Sequence, residues 1–297
     1  MRKDNADLVI ELVDKRIEEL LESADSAVQS KYIKDFLNFT SKFYRYSAGN
    51  QLLIMAQCPD ATYIAGYRTW INNHHRQVRK GEKGILIRCP ILKKDGESEE
   101  QELIGYRAGR VFDIVQTDPI DEMVGHPIFD EKLPDGVNEV ADTIIQYAES
   151  LGIKVLFCEM NGTLHGSQCR NTIELDTRIC NKQESVLMVM AHEIAHWLLH
   201  FKDEEGKGLP RALSEVEAES VAYVVGTHFG INPKETGSDD YLAIWNYRTN
   251  DPEEEPSKTI LTSLERIRSA SARIIDGVLE LIKREEVIEE KEAVLVG

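Results

Sequence analysis

A chain of 297 residues is long for one domain and suggests two. Its 42% hydrophobic and 29% charged residues suit a soluble globular protein, and no apolar run is long enough to span a bilayer. The net charge of −17 hides an asymmetry. Lys31–Lys93 carries eleven basic side chains against Asp35, Asp60 and Glu82, a local +8 within a remainder of −25. Such a segment fits either a polyanion partner or a solvated basic face. The five cysteines are odd in number and form no CxxC pair, which argues against a disulfide framework and for a reducing, cytoplasmic setting.

In chain order, the first twenty residues lack an uninterrupted apolar core and read as an amphipathic helix rather than a signal peptide. Residues 6–58 are helical by pattern, with Leu8, Leu12, Ile17, Phe36 and Phe43 at helical spacing. Asn50–Ala56 reads as a buried helix that stops before Pro59. The segments 62–70, 77–92 and 102–117 read as strands, with turns at Lys80–Gly84 and Gly105–Gly109 and an acidic hairpin tip at Lys93–Glu102. Three prolines and two glycines mark residues 119–136 as a linker between a front domain, 1–118, and a second domain, 137–284; a charged tail, 285–297, follows. The second domain should contain a helix at Val137–Leu151, strands at Ile153–Cys158 and Thr172–Asp176, and helices near Glu184–Phe201, Arg211–Phe229, Tyr241–Asn250 and Thr259–Lys283. The fold class is therefore α+β, a helical and antiparallel-sheet front domain followed by a helix-rich domain.

The helix at 184–201 contains His192-Glu193-x-x-His196. Positions i and i+4 share a helix face, so both imidazoles can meet one metal ion, with Glu193 beside them to take a proton from water. Two imidazoles and a carboxylate favour zinc. The flanking VLMVMA and WLL bury the helix, and buried histidines need partners. The next helix offers Glu215, Glu217 and Glu219. Glu215 and Glu219 share a face, so Glu215 is the third ligand and Glu219 a carboxylate that orients a ligand histidine. Glu217 reads as part of a solvated acidic face. His200, one turn on, either supports the ligands or is a structural histidine. His228 and Tyr223 are candidates to stabilise an oxyanion. The strand Asn171–Asp176, with His165, is a candidate edge for pairing with an extended peptide.

In the front domain, Tyr63, Tyr67 and Trp70 interleave with Arg68, Arg76, Arg79, Lys80 and Lys83. Cations neutralise phosphates and aromatics stack on bases, the pattern of single-stranded-DNA binding; core packing is the plainer role for Trp70 and Phe112. Asn50 and Gln116 can donate to phosphates or base edges.

The run His192–His200 with Glu215-Val-Glu-Ala-Glu219-Ser-Val-Ala222 resembles the ImmA/IrrE-type metallopeptidases, whose second motif reads Glu-x-x-Ala-Asn-x-x-Ala. Glu215 then matches the third zinc ligand, and Glu219 stands where the asparagine is usual. The front half resembles the DNA-binding domain of ArdC-type antirestriction proteins. The matching runs are Tyr46-Ser47-x-x-Asn50-Gln51-Leu52-Leu53, Gly66-Tyr67-x-Thr69-Trp70, Val78-x-Lys80-Gly81-Glu82-Lys83-Gly84-Ile85 and Val111-Phe112-Asp113-x-x-Gln116-Thr117. Ser220–Val225, His228-Phe229-Gly230 and Leu264–Gly277 also look like ArdC-like proteins of conjugative and phage elements. The resemblance implies a zincin-like peptidase domain, a single-stranded-DNA-binding domain, carriage on a mobile element and protection of incoming DNA from restriction. Two other readings stay open: a DNA-binding protein with a structural metal site, and a regulatory peptidase that cleaves a repressor.

Overall fold

The computed structural model describes residues 11, 15, 26–94, 101–121, 137–163, 165–202, 209–231 and 256–296. Its helices are α1 (Ser26–Phe43), α2 (Ala48–Gln57), α3 (Tyr67–Asn72), α4 (Val137–Ser150), α5 (Gln183–His196), α6 (Arg211–His228) and α7 (Pro256–Val296). Its strands are β1 (Ile64–Gly66), β2 (Arg76–Val78), β3 (Ile85–Lys94), β4 (Gln101–Asp113), β5 (Thr117–Pro119), β6 (Lys154–Cys158), β7 (Gly166–Cys169) and β8 (Thr172–Asp176). The chain divides into two compact units, Met1–Ala24 with Tyr46–Asp130, and Asp25–Arg45 with Glu131–Gly297.

In the first unit β1, β4 and β3 form an antiparallel sheet in the order β1-β4-β3, and β2 pairs with β5. Ile85, Ile87 and Val111 turn inward on one face of the long hairpin. The free edge of β3 is capped by α2. The Asn50 side-chain amide accepts from Arg88 N at 2.8 Å and donates to Arg88 O at 3.0 Å, and Gln57 does the same for Leu86 at 2.9 Å each way. Four edge backbone groups thereby find partners without a further strand. Asp113 is the second organiser. Its buried carboxylate accepts from the backbone N–H groups of Thr62, Tyr63 and Val115, and Gln116 closes a capping box on Asp113 N.

Two sequence expectations change here. Residues 62–70 are not one strand, because Tyr67–Asn72 coils into α3 and sinks Trp70 among Ala65, Val78 and Ile114, with Trp70 Nε1 donating to Phe112 O. Gly105 and Gly109 are not a turn. Both lie inside β4, Gly105 opposite Ile91 where the register shifts, and Gly109 where any Cβ would sit 2.4 Å from Cys89 Sγ. The strands run on to the pair Lys94↔Gln101, so the expected hairpin tip falls largely outside the described residues.

In the second unit α5 and α6 pack side by side, with α4 and α7 completing the core. Leu187, Met190 and Ile194 of α5, Val221 and Val225 of α6, Ile144 of α4 and Ile267, Ile274 and Val278 of α7 are all fully buried in this core. Each such side chain contributes about 1.5–3 kcal/mol by leaving water. The segment 25–45 was expected in the front domain, but α1 packs on α6 instead, because Phe36, Leu37 and Phe43 bury their apolar stripe there. The helix expected at Thr259–Lys283 starts earlier and continues through the charged tail as α7. The helix expected at Tyr241–Asn250 lies outside the described residues, as does most of the linker.

A small mixed sheet, in the order β6-β8-β7, lies beside α5; β6 runs parallel and β7 antiparallel to β8. The strand expected to offer an edge, Thr172–Asp176, is thus the central one and its ladder is filled on both sides. The outer strand near the motif helix is β7, too short and too polar (GSQC) to stand out in the sequence.

Candidate metal centre

α5 presents His192 and His196 one turn apart, and α6 brings Glu215 against them. His192 Nε2 lies 3.0 Å from His196 Nε2, and Glu215 Oε2 lies 3.5 Å from each. Among the described residues, these three form the group of ligand-type side chains gathered closely enough to hold one ion. A divalent cation bound tetrahedrally at about 2.0–2.1 Å sets its nitrogen and oxygen donors about 3.3 Å apart. The triangle of 3.0, 3.5 and 3.5 Å fits that requirement, and the donor types suit zinc or another divalent transition metal.

The protonation of the site follows from its packing. Burial opposes charge on His192, but Glu215 and Glu219 outweigh it and raise its pKa to about 10. His196 is lowered to about 4, first by burial and then by the neighbouring His192. Glu215 is pulled down to about 2 by its contact with His192, and Arg211 Nε adds a cation 3.5 Å away. Glu193 is pushed up to about 7, chiefly by burial. It sits against β7, where it takes a backbone hydrogen bond from Gln168. That approach requires Gly166, whose Cβ, if present, would stand 2.4 Å from Val189 Cγ1 and 2.8 Å from Glu193 Oε1.

Around the triangle, Glu219 Oε2 lies 3.5 Å from His192 Nδ1, behind the ligand face. After His196 the helix widens into a π turn, Trp197–Lys202, which carries His200. His200 Nδ1 lies 3.1 Å from His196 Nδ1, and its Nε2 lies 3.2 Å from Glu217 Oε2. Glu217 corrects the sequence reading. It is not on a solvated face but wholly buried, and it receives Ser263 Oγ at 2.5 Å together with the guanidinium of Arg266. Burial opposes its ionisation, but His200, Arg266 and Ser263 hold its carboxyl below the usual range. The helix face opposite Glu215 is covered by α7, which the local pattern of α6 does not reveal.

The oxyanion candidates are corrected as well. Tyr223 Oη donates to Asn38 Oδ1 at 2.9 Å, and His228 Nδ1 lies 2.8 Å from Ser41 O, so both tie α6 to α1. They stand about 12 and 20 Å of helix beyond Glu215.

Of the candidate DNA contacts, three are used inside the fold. Asn50 caps β3. Arg76 is buried and bonds Thr117 through Nε at 2.7 Å and Nη2 at 3.0 Å. Gln116 donates to Glu82 Oε2 and Lys83 O, both at 3.0 Å. Arg79 is exposed but paired with Glu82 and Asp118. Tyr67, Arg68, Lys80 and Lys83 do face solvent. A better-formed surface lies on the long hairpin, where no single run of the sequence displays it. Register places Arg88, Tyr106 and Arg110 on one face of the hairpin, with the Arg88 guanidinium 4.2 Å over the exposed Tyr106 ring. Tyr67 extends that face by its edge contact with Phe112.

A His-Glu-x-x-His helix meets a glutamate from the following helix in an α+β fold, a donor set suited to one divalent cation. Comparison narrows the likeness. Residues 3–112 match the family described as the N-terminal domain of anti-restriction factor ArdC. Two crystal structures of the antirestriction protein ArdC from the R388 plasmid are similar to the chain. The manganese(II)-bound one has a TM-score of 0.53 at 15% identity, over 91% of this chain and 98% of that one. The metal-free one has a TM-score of 0.47 at 19% identity, over 79% and 86%. No curated protein matches the chain. Residues 3–112 thus carry the match to that domain family, and the manganese-bound structure shows a likeness of fold along most of the chain.

Proposed function

We propose that this is a mobile-element antirestriction-type protein whose first unit binds single-stranded DNA and whose second unit is a zinc-dependent peptidase. The observation that carries the peptidase reading is the convergence of His192 Nε2, His196 Nε2 and Glu215 Oε2 beside the buried carboxylate of Glu193. A zinc ion held by the three would polarise a scissile carbonyl and acidify water. Glu193, raised to about 7, is matched to neutral pH for taking a proton from that water and handing it to the leaving amine. Glu219 steadies the His192 ring from behind. The outer edge of β7, rather than the central β8, offers backbone groups beside Glu193 for an extended peptide.

Glu193→Gln should keep the cation and lose peptide hydrolysis by at least about a hundredfold, measured on a peptide library or unfolded protein. Undiminished cleavage by that variant would refute the peptidase reading.

DNA binding is supported by the hairpin face of Arg88, Tyr106 and Arg110 with Tyr67 and Arg68 beside it, where stacking rings alternate with cations. Tyr106→Ala should weaken binding of a short oligonucleotide by about 1–3 kcal/mol. A gel-shift series in which single strands bind no better than duplex, or without dependence on salt, would contradict the assignment.

A further inference from the structure

Behind the three cation-facing atoms runs a line of hydrogen bonds that ends on Glu217. His196 Nδ1 meets His200 Nδ1 at 3.1 Å, and His200 Nε2 meets Glu217 Oε2 at 3.2 Å. The other oxygen of Glu217 accepts from Ser263 Oγ at 2.5 Å and from Arg266, whose Nε lies 3.0 and 3.2 Å from the two oxygens. A carboxylate can only accept, so His200 must carry its proton on Nε2 and donate it to Glu217. In the neutral form of His200, which has one donor and one acceptor, Nδ1 is then the acceptor. His196 must therefore carry its proton on Nδ1. That leaves His196 Nε2 bare, and Nε2 is the atom turned toward His192 and Glu215.

We infer that Glu217 is a positioning residue which, through His200, fixes His196 in the tautomer whose Nε2 lone pair faces the cation. The inference rests on the cation reading of the triangle. Arg266 and Ser263 of α7 are part of the device, because they supply the donors that keep both Glu217 oxygens acceptors. The residue does not touch the ion or the substrate. It sets a proton two hydrogen bonds away, as ligand-supporting carboxylates do through a single histidine.

The substitution that reverses the line is Glu217→Gln, which conserves shape. Its amide oxygen would stay with Arg266 and Ser263, and its NH2 would turn to His200 Nε2. His200 would then shift its proton to Nδ1, and His196 to Nε2, closing the lone pair toward the ion. The tautomers can be read in the metal-free, full-length protein with 15N-labelled histidine by two-bond proton–nitrogen correlation spectra. Zinc affinity can be read by competition with a chromophoric chelator. We expect Nδ1–H on His196 and Nε2–H on His200 in the wild type, the opposite pair in Glu217→Gln, and a loss of zinc affinity of about 10–100-fold. The wild-type spectrum tests the inference even if the variant does not fold. Nε2–H on wild-type His196, or tight zinc binding unchanged in a folded Glu217→Gln, overturns the inference and leaves the cation site standing. Failure of the wild type itself to bind zinc overturns the cation reading and the inference together.

Discussion

The protons on His192 and His196 decide how tightly a cation is held. Without metal, His192 keeps its proton up to about pH 10 and His196 is neutral down to about pH 4. A cation arriving at neutral pH must displace the His192 proton, so affinity rises with pH. Between about pH 6 and 9 zinc affinity should climb by up to tenfold per unit, levelling near pH 10 and steepening below about pH 4 as His196 also takes up a proton. Titrations at several pH values check this, and an affinity flat across the range would contradict the protonation described. At the same scale, i,i+4 spacing puts His192 with His196 and Glu215 with Glu219 on shared helix faces, so those pairings are legible in the sequence, while the meeting of the two helices at 3.5 Å is seen only in the fold. Glu217 was not legible, because its partners His200, Ser263 and Arg266 come from a π turn and from a helix 46 residues on. Tyr223 and His228 were misread for the same reason: nothing in α6 announces that α1 covers it.

Among the elements, the edge of β3 deserves the sharpest test, since one residue separates a folding role from a binding one. Asn50→Ala leaves Arg88 N–H and C=O without their amide partner and should lower stability by about 1–3 kcal/mol, read from the denaturant midpoint. It should leave the salt dependence of oligonucleotide binding as it was. Arg110→Ala should do the reverse, keeping the midpoint and reducing the salt slope by about 1. An Asn50→Ala protein of full stability with weakened DNA binding would make Asn50 a DNA contact instead of a cap on β3. The periodic helices α2, α4, α5 and α6 were readable from apolar spacing. Short elements that depend on distant packing were not: α3 forms around Trp70, and β7 exists because β8 offers it a ladder.

For the whole molecule, the division into units was legible only in part. The proline-rich stretch at 119–136 lies where the units change, but α1, which chain order and the family match at residues 3–112 both put with the front domain, carries an amphipathic stripe that buries against α6. The two-unit description predicts separate responses. Phe36→Ala and Trp70→Ala each empty a fully buried site and should each cost about 3–5 kcal/mol. Saturating zinc, at about a hundred times its dissociation constant, should stabilise by about 2.7 kcal/mol the unfolding step that Phe36→Ala weakens, and not the one that Trp70→Ala weakens. Calorimetry with and without zinc reads both; Phe36→Ala and Trp70→Ala weakening one and the same step, with zinc shifting the other, would contradict the assignment of α1.

The cation site is tested most directly by the metal content of the purified protein after zinc loading and dialysis, compared with Glu215→Ala. The wild-type chain should hold about one ion and the variant far less, since three protein donors are needed to hold the ion. Equal zinc in both, or none in the wild type, would contradict the cation reading.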